Sequence, residues 1–444
     1  MSDTRHAESR GLLRAVGGSA GARMLVLPFS AVLGIFVTRL IIDNYGEASY
    51  AQYMLLVGIA TLIPFADLGI SASIMNAVGA SDDPAHDRHV RGTLITCMRI
   101  LAGSATTLSL VALFLTLSGS WDALLGKGLL DDSGNLAAGL CLAMLALAMF
   151  VGFGQRILIG LGLTFVTILV GGLTTPIVLL VLWVAVRLDL DFGPYVAVVS
   201  YAAIGLTGAV CLGLANRRVK PVIGQAFRAA FRLRTERGDS VFATAWPMLI
   251  QMVALPLAMQ SDRLVLSHAS SVRELSTFSL ASQMYSPIFS VSVAASMSLW
   301  PIFARQRAKG GSEVSAHRLS LLFGALALAG VVVMSLASGF LAQVASGGAI
   351  RLSFSLLLAF SLLMVLQAAK SPLGMAMTDA KGLRFQAYMV LLMLPVNVGI
   401  SVVLAVHLGA VGPVIGSIVG VAVFQLGANW WYVARTEASL RPAS

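Results

Sequence analysis

The chain has 444 residues, of which 57% are hydrophobic and only 11% charged, and its formal net charge is +10. A soluble domain carries about 25% charged residues, so a water-soluble enzyme, a disordered chain and a secreted disulfide scaffold are excluded. A helix needs about 20 apolar residues to cross a bilayer, and this composition supplies about twelve such helices. We therefore expect an all-α polytopic membrane protein.

Apolar runs separated by polar or Gly/Pro clusters predict the spans in chain order. The runs are 24–43, 51–77, 92–118, 136–155, 163–186, 194–215, 241–267, 275–303, 318–345, 351–371, 384–407 and 410–434. They predict a cytoplasmic leader (1–23), a six-helix bundle (24–215), a basic linker (216–240), a second six-helix bundle (241–434) and a tail (435–444). Arg5, Arg10 and Arg14 precede a long apolar stretch that lacks a small-residue cleavage site, which indicates an uncleaved first span.

The Lys and Arg residues are distributed unevenly between the two sides of this arrangement. Twenty-four of the 30 fall on one side and six on the other. Basic loops stay cytoplasmic, so we expect both termini in the cytoplasm. The positive charge is then a topology signal, and no nucleic-acid partner is needed to explain it.

Signals of catalysis, metal binding or cofactor binding are absent from the sequence. The chain has no GxxxxGK[ST] phosphate loop and no HExxH zinc motif. Its three cysteines lie in apolar runs, where they act as small packing residues. We expect no enzyme activity, no metal and no cofactor.

The central linker contains the segment GQAFRAAFRLRTER, residues 224–237. Phe227 and Phe231 are four residues apart and the arginines point elsewhere, which is compatible with a short amphipathic helix at the membrane interface. A solvated basic linker that follows the positive-inside rule explains the same residues. The sequence leaves both interpretations open.

The two halves show a weak internal repeat. Arg39, near the outer end of the first predicted helix, matches Arg263 near the outer end of the seventh, at an offset of 224 residues. Pro64 and Pro287 follow at almost equal distances. Six helices per half predict two bundles related by a pseudo-two-fold axis along the membrane normal, with the substrate path between them.

Ionisable residues within spans are costly and therefore mark candidate sites. Asp67 lies deep in the second predicted helix, and it either pairs with Arg99 or takes part in coupling or substrate binding. Arg39 and Arg263 would face each other across the cleft, where a guanidinium suits phosphate oxygens. The alternative is that both reach to the outer interface, with Asp262 beside Arg263.

Two further basic residues flank the tenth predicted helix. Arg351 opens this helix and Lys370 closes it, so we expect both at the membrane interface. Sugar recognition would use scattered polar side chains that follow no readable code. Examples are Gln52, Gln251, Gln260 and Gln283.

The region from Arg39 to Tyr53, followed by Asp67–Ile74, resembles the first two helices of the polysaccharide flippases of the multidrug/oligosaccharidyl-lipid/polysaccharide (MOP) exporter superfamily. The region from Asp262 to Gln283, followed by Trp300–Pro301 and two arginines, is similar to their helices seven and eight. The resemblance implies two six-helix bundles that form a V around a central cavity. It also implies that cavity basic residues attract the substrate, which we assign to Arg39 and Arg263.

The implied substrate is a glycan on an undecaprenyl-pyrophosphate carrier, moved between leaflets of the bacterial inner membrane as by O-antigen (Wzx-type) flippases. Asp67 and Arg99 are added as substrate-binding candidates, and Asp67 and Asp262 as coupling candidates. Implied partners are membrane lipids, a polysaccharide polymerase and chain-length proteins. A cation-coupled multidrug exporter of the same superfamily is the alternative, although it would want acidic residues in both halves.

Overall fold

The computed structural model describes residues 2–62, 68–125, 129–130, 133–232, 238–270, 272–309, 314–346 and 351–440, and no strand occurs in these ranges. Ten helices within them are long and apolar enough to cross a membrane. They are Val16–Gly46, Arg88–Leu117, Gly134–Gly160, Thr164–Arg187, Gly193–Arg218, Thr277–Lys309, Ala316–Gln343, Phe354–Ala376, Ala380–Leu408 and Val411–Thr436. The chain is thus a multi-pass, all-α membrane protein, as predicted. Two of the twelve predicted spans are missing from these ten helices. The second falls partly on residues 63–67, outside the described ranges, and of the seventh only Phe242–Leu255 is counted, as a shorter apolar helix.

The chain divides into two compact units. The N-terminal unit is Gly21–Phe242, and the C-terminal unit is Ala243–Ser444 together with Met1–Ala20. The first turns of the chain, predicted to be a leader, therefore group with the second half. A hydrogen bond contributes to this grouping, because the Ser298 hydroxyl donates to Ser19 Oγ at 2.6 Å.

Within the described residues, eleven α-helices begin in the N-terminal half of the chain. They are α1 (Ser2–Val57), α2 (Ile59–Leu62), α3 (Ser71–Ala80), α4 (Arg88–Leu117), α5 (Trp121–Leu125), α6 (Gly134–Val151), α7 (Phe153–Gly160), α8 (Thr164–Gly172), α9 (Thr174–Arg187), α10 (Val196–Arg218) and α11 (Val222–Ala230). The start of α4 shows why a helix begins where it does: the Asp87 carboxylate accepts hydrogen bonds from the amides of His89 and Val90, which otherwise lack partners in the first turn.

The long helix α1 contains a sharp break at Gly46. This residue has φ 83° and ψ 170°, a conformation that glycine adopts without the clash a Cβ would cause. The break falls between the first and second predicted spans. The first crossing therefore ends at Gly46, and the chain turns there.

The second predicted span, 51–77, is interrupted in the described residues. Helix α1 ends at Val57, α2 is one turn long, and Leu68 and Gly69 have positive φ before α3 begins. The buried Tyr201 of α10 supports the first interruption, since its hydroxyl lies 3.0 Å from the Leu56 carbonyl and accepts from the Ala60 amide at 3.1 Å. Backbone groups freed by a helix break in a membrane require such internal partners.

Eight α-helices follow in the part of the second half that the structure describes. They are α12 (Phe242–Ala269), α13 (Val272–Met297), α14 (Leu299–Lys309), α15 (Ala316–Ser346), α16 (Phe354–Ala376), α17 (Ala380–Leu408), α18 (Val411–Gly420) and α19 (Ala428–Leu440). A π-helical segment, Val421–Gly427, joins α18 to α19. Such segments widen a helix locally and are common at functional sites.

The core of the C-terminal unit is centred on α13 and α16. The Tyr285 ring stacks on Phe360 with centroids 5.8 Å apart, and its hydroxyl is within 2.8 Å of Ser335 Oγ and 3.1 Å of Ser361 Oγ. This buried polar cluster has its hydrogen bonds satisfied, so it ties α13, α15 and α16 together without a desolvation penalty.

Candidate functional site

The C-terminal unit contains a chamber of about 210 Å³ between its helices. Its walls come from α12, α13, α14, α16, α17, the π-helical segment and α19. The lining residues are Met248, Gln251, Leu255, Phe289, Val293, Trp300, Lys370, Ser371, Gly374, Met375, Thr378, Leu383, Gln386, Val390, Phe424, Gln425 and Asn429. We call this cavity the Lys370 chamber, because Lys370 is the charged member of this lining set.

Lys370 lies in α16, which continues for six residues beyond it to Ala376. Its ammonium group donates a hydrogen bond to Gln425 Oε1 in the π-helical segment. Lys370 therefore does not close its helix, because the predicted helix end at 371 was too early. Its position relative to the membrane interface stays a prediction.

The other polar groups of the chamber are neutral. Gln386 Nε2 donates to the carbonyls of Gly374 and Met377 at 3.2 and 2.9 Å, which closes the end of α16. Among the described residues, the buried Asn429 Oδ1 has no hydrogen-bond partner. Phe289, Trp300 and Phe424 provide aromatic walls. A cation, amide groups and aromatic rings together suit an anionic ligand that carries hydroxyl-rich or planar parts.

A second polar cluster in the same unit surrounds Asp262, which we call the Asp262 cluster. The carboxylate is 3% exposed and accepts hydrogen bonds from Ser417 at 2.8 Å and Ser401 at 3.2 Å. Asn397 is part of the same network, because its amide donates to Ser417 Oγ and its carbonyl accepts from Ser401. These described partners are uncharged, so the carboxylate's negative charge is not paired by them. A buried carboxylate of this kind is stabilised by taking up a proton or a cation.

Close packing of α18 on α17 builds this cluster. Gly412, Gly416 and Gly420 recur every four residues along α18. A Cβ at Gly412 would lie 2.3 Å from the backbone of Leu404, and one at Gly416 would lie 2.3 Å from Ser401 Oγ. Small residues at this spacing allow helix backbones to approach in membranes. The GxxxGxxxG spacing is the sequence signal for this close approach, but it carries no information about Asp262.

Arg99 has a structural task in the N-terminal unit. Its guanidinium donates to the carbonyls of Ala230, Ala229 and Arg232 at 3.0 to 3.2 Å, and thereby caps the C-terminal end of α11. A cation at this end also complements the helix dipole. Asp67, its expected partner, lies outside the described residues.

Arg39 and Arg263, the predicted matching pair, are described to different extents. The side chain of Arg39 is 78% exposed and lies 3.3 Å from Asp43 Oδ2, one helical turn further on. Arg263 belongs to α12, but its side chain lies outside the described residues. The substrate-binding roles of both stay predictions.

Gln52 is likewise structural rather than free for sugar recognition. Its amide donates to the Pro194 carbonyl at 2.9 Å and accepts from the Leu130 amide at 2.7 Å. Gln251 lines the Lys370 chamber, and its amide also donates to the carbonyls of Leu383 at 3.4 Å and Pro247 at 3.5 Å. Scattered glutamines can be assigned to one role or the other only when the packing around them is known.

Known proteins that are similar to this chain in sequence or in structure are transporters. A Salmonella typhi protein named as an O-antigen transporter is 22% identical over 280 residues, which is 61% of this chain and 61% of that protein. No family model matches the chain. The fold matches a MATE transporter of Vibrio cholerae with a TM-score of 0.69 at 16% identity, covering 98% of both chains.

A MOP superfamily transporter from Pyrococcus furiosus, described by the reverse polarity of its binding pocket, gives a TM-score of 0.70 at 14% identity. That match covers 98% of this chain and 96% of the other. The chain has the MOP superfamily fold. The predicted resemblance is confirmed at two levels: the fold is that of the MOP superfamily, and the similarity to polysaccharide flippases rests on the Salmonella typhi relative.

Proposed function

We propose that this MOP-fold protein is a secondary transporter that moves undecaprenyl-pyrophosphate-linked oligosaccharide from the cytoplasmic to the periplasmic leaflet of the bacterial inner membrane. The Lys370 chamber is the observation that carries this proposal. A membrane cavity whose charged lining residue is a lysine favours an anionic substrate group, and a pyrophosphate is such a group. The relative named for O-antigen transport supports the same substrate class.

The chamber is sized for part of the substrate. About 210 Å³ accommodates a phosphate group or a single sugar ring, while a whole lipid-linked oligosaccharide is much larger. The amides of Gln251 and Asn429 would then bind sugar hydroxyls or phosphate oxygens beside Lys370. Arg39 and Arg263 remain proposed contacts for the rest of the anionic head group.

Asp262 is the proposed coupling residue. Its carboxylate faces hydroxyls, so uptake of a proton or a monovalent cation changes the charge buried between α12, α17 and α18. A gradient of that ion could then drive alternation. Asp67 stays a second coupling candidate from the sequence.

The alternative function is a cation-coupled multidrug exporter. Neighbours by fold include a transporter named as a multidrug resistance MATE protein from the MOP superfamily, with a TM-score of 0.68, and Asp262 offers a buried carboxylate. A lipophilic cation would, however, meet Lys370 rather than an acid in the chamber. The charge of the chamber therefore favours the flippase.

Reconstitution separates the two functions. Proteoliposomes that contain the chain and a fluorescent undecaprenyl-pyrophosphate glycan should show faster exchange of the glycan between leaflets than protein-free vesicles. Cells that express the chain should retain a lipophilic cation as well as control cells do. The reverse pair of results, no glycan exchange and lower cation accumulation, identifies the multidrug exporter instead.

A further inference from the structure

Helix α11, in the linker between the two predicted bundles, has three distinct faces. At about 100° per residue, Val222, Ala226 and Ala229 share one face, which is buried. Phe227 and Phe231 lie on the next face and are 46% and 70% exposed. Their rings pack edge to face with centroids 5.2 Å apart.

The third face of α11 is cationic. Arg228 is exposed there, and Arg232, two residues beyond the end of α11, is exposed as well. The segment 216–232 contains five basic residues and no acidic residue. In the part of the chain that the structure describes, neither arginine is in an ion pair. The surface therefore lacks an anionic partner within the described protein.

Packing holds α11 at the depth of the membrane interface. The buried face packs on α4, and Arg99 of α4 binds the carbonyls at the end of α11. Helix α4 has 30 residues, so it is about 45 Å long, and Arg99 lies roughly 16 Å from its start. The hydrocarbon core requires about 30 Å of this length. When the remaining length of α4, about 15 Å, lies on the linker side of the hydrocarbon core, the end of α11 is level with the boundary between head groups and acyl chains.

We propose that α11 is a binding surface for anionic phospholipid of the bilayer. Phe227 and Phe231 insert among the upper acyl chains, while Arg228 and Arg232 bind the phosphates of anionic head groups. An apolar edge beside a cationic edge is the arrangement that an interfacial helix needs. Of the two interpretations of the linker, this favours the interfacial helix over the solvated basic linker. Lipid binding by α11 does not depend on which substrate the chain transports.

Lipid preference tests the cationic face. The full chain is reconstituted in nanodiscs that contain phosphatidylcholine and phosphatidylglycerol in equal amounts, so that the two lipids compete for α11. Lipids that stay bound after detergent extraction are counted by native mass spectrometry. Wild type should retain more phosphatidylglycerol than phosphatidylcholine. In the R228Q/R232Q variant the ratio of retained phosphatidylglycerol to phosphatidylcholine should be about tenfold lower.

A matched control removes the same charge elsewhere. The R305Q/R318Q variant changes two exposed arginines of the C-terminal unit and should keep the lipid preference of wild type. Equal phosphatidylglycerol retention by wild type and the R228Q/R232Q variant would overturn the proposal.

Depth measurements test the aromatic face independently. The native cysteines Cys97, Cys141 and Cys211 are buried, so a nitroxide attaches selectively to an introduced cysteine. A label at F231C should be more accessible to oxygen than to a water-soluble nickel complex, and a label at Q225C should show the opposite. Equal exposure of both labels to the nickel complex contradicts membrane insertion of α11.

Discussion

Lys370 of α16 donates a hydrogen bond to Gln425, and Gln425 lies in the π-helical segment Val421–Gly427. A lysine within a membrane span is costly unless it has a partner, a cavity or a substrate. Here it has a neutral partner and a chamber. The ammonium charge is therefore available to an anionic group that enters the chamber.

A carboxylate placed at Gln425 should compete with such a group. In the Gln425→Glu variant the new carboxylate would pair with Lys370, so we expect affinity for undecaprenyl pyrophosphate to fall at least about tenfold, the usual cost of one charge-assisted hydrogen bond. Binding is measured by microscale thermophoresis in detergent. Gln343→Glu, at an exposed position of α15, is the control. Unchanged affinity in Gln425→Glu would remove Lys370 from the substrate site.

Neutralising Asp262 should uncouple transport from the ion gradient. Asp262→Asn keeps the shape of the side chain and can still bond Ser401 and Ser417, so the fold is expected to persist. Exchange of glycan lipid in proteoliposomes should then no longer respond to an imposed proton or sodium gradient, while exchange without a gradient continues. A gradient response equal to that of wild type speaks against Asp262 as the coupling residue.

The glycine seam of α18 predicts a large difference between two Gly→Ala substitutions. Gly412→Ala places a Cβ 2.3 Å from the Leu404 backbone and should destabilise the protein by about 1–3 kcal/mol, the usual cost of overpacking. Gly399→Ala in α17 meets nothing within 4 Å and should be neutral or stabilising by up to about 1 kcal/mol. Thermal unfolding in detergent compares the two, and similar midpoints would contradict the close approach.

Arg99 is expected to act on α11 and not on substrate. Arg99→Met removes three hydrogen bonds to carbonyls, so amides of 222–230 should exchange with deuterium about tenfold faster, since a charged hydrogen bond contributes more than 1 kcal/mol. Arg88→Gln, an exposed position at the start of α4, controls for the charge. Normal exchange at α11 together with lost glycan transport would return Arg99 to the substrate site.

The sequence predicts the membrane-spanning class well because the cost of exposing polar backbone in lipid leaves a strong hydropathy signal. The break at Gly46 falls where the apolar runs separate, for the same reason. The site is less predictable. Lys370 lies inside α16, which continues beyond it to Ala376. Its distance from the helix end therefore depends on where α16 ends. Hydropathy locates helix ends only to within a few residues.

The sequence shows Asp262 as an ionisable residue in a predicted span, but it does not predict which residues surround its carboxylate. Ser401 and Ser417 are 139 and 155 residues away from it along the chain, and a single sequence carries no signal for such pairs. Arg99 was predictable as a basic residue in a span, but its contacts with the carbonyls at the end of α11, 130 to 133 residues away along the chain, were not; its substrate-binding role stays a prediction.

The most direct measurement of the central claim is leaflet exchange of labelled undecaprenyl-pyrophosphate glycan by wild type, Lys370→Arg and Lys370→Gln in matched proteoliposomes. Loss of a buried charge partner costs about 2–5 kcal/mol, so Lys370→Gln should exchange glycan more than tenfold slower than wild type, and Lys370→Arg should keep a substantial part of the rate. Lys381→Gln, at an exposed position, should match wild type. Wild-type exchange no faster than in protein-free vesicles, or full activity of Lys370→Gln, would contradict the account.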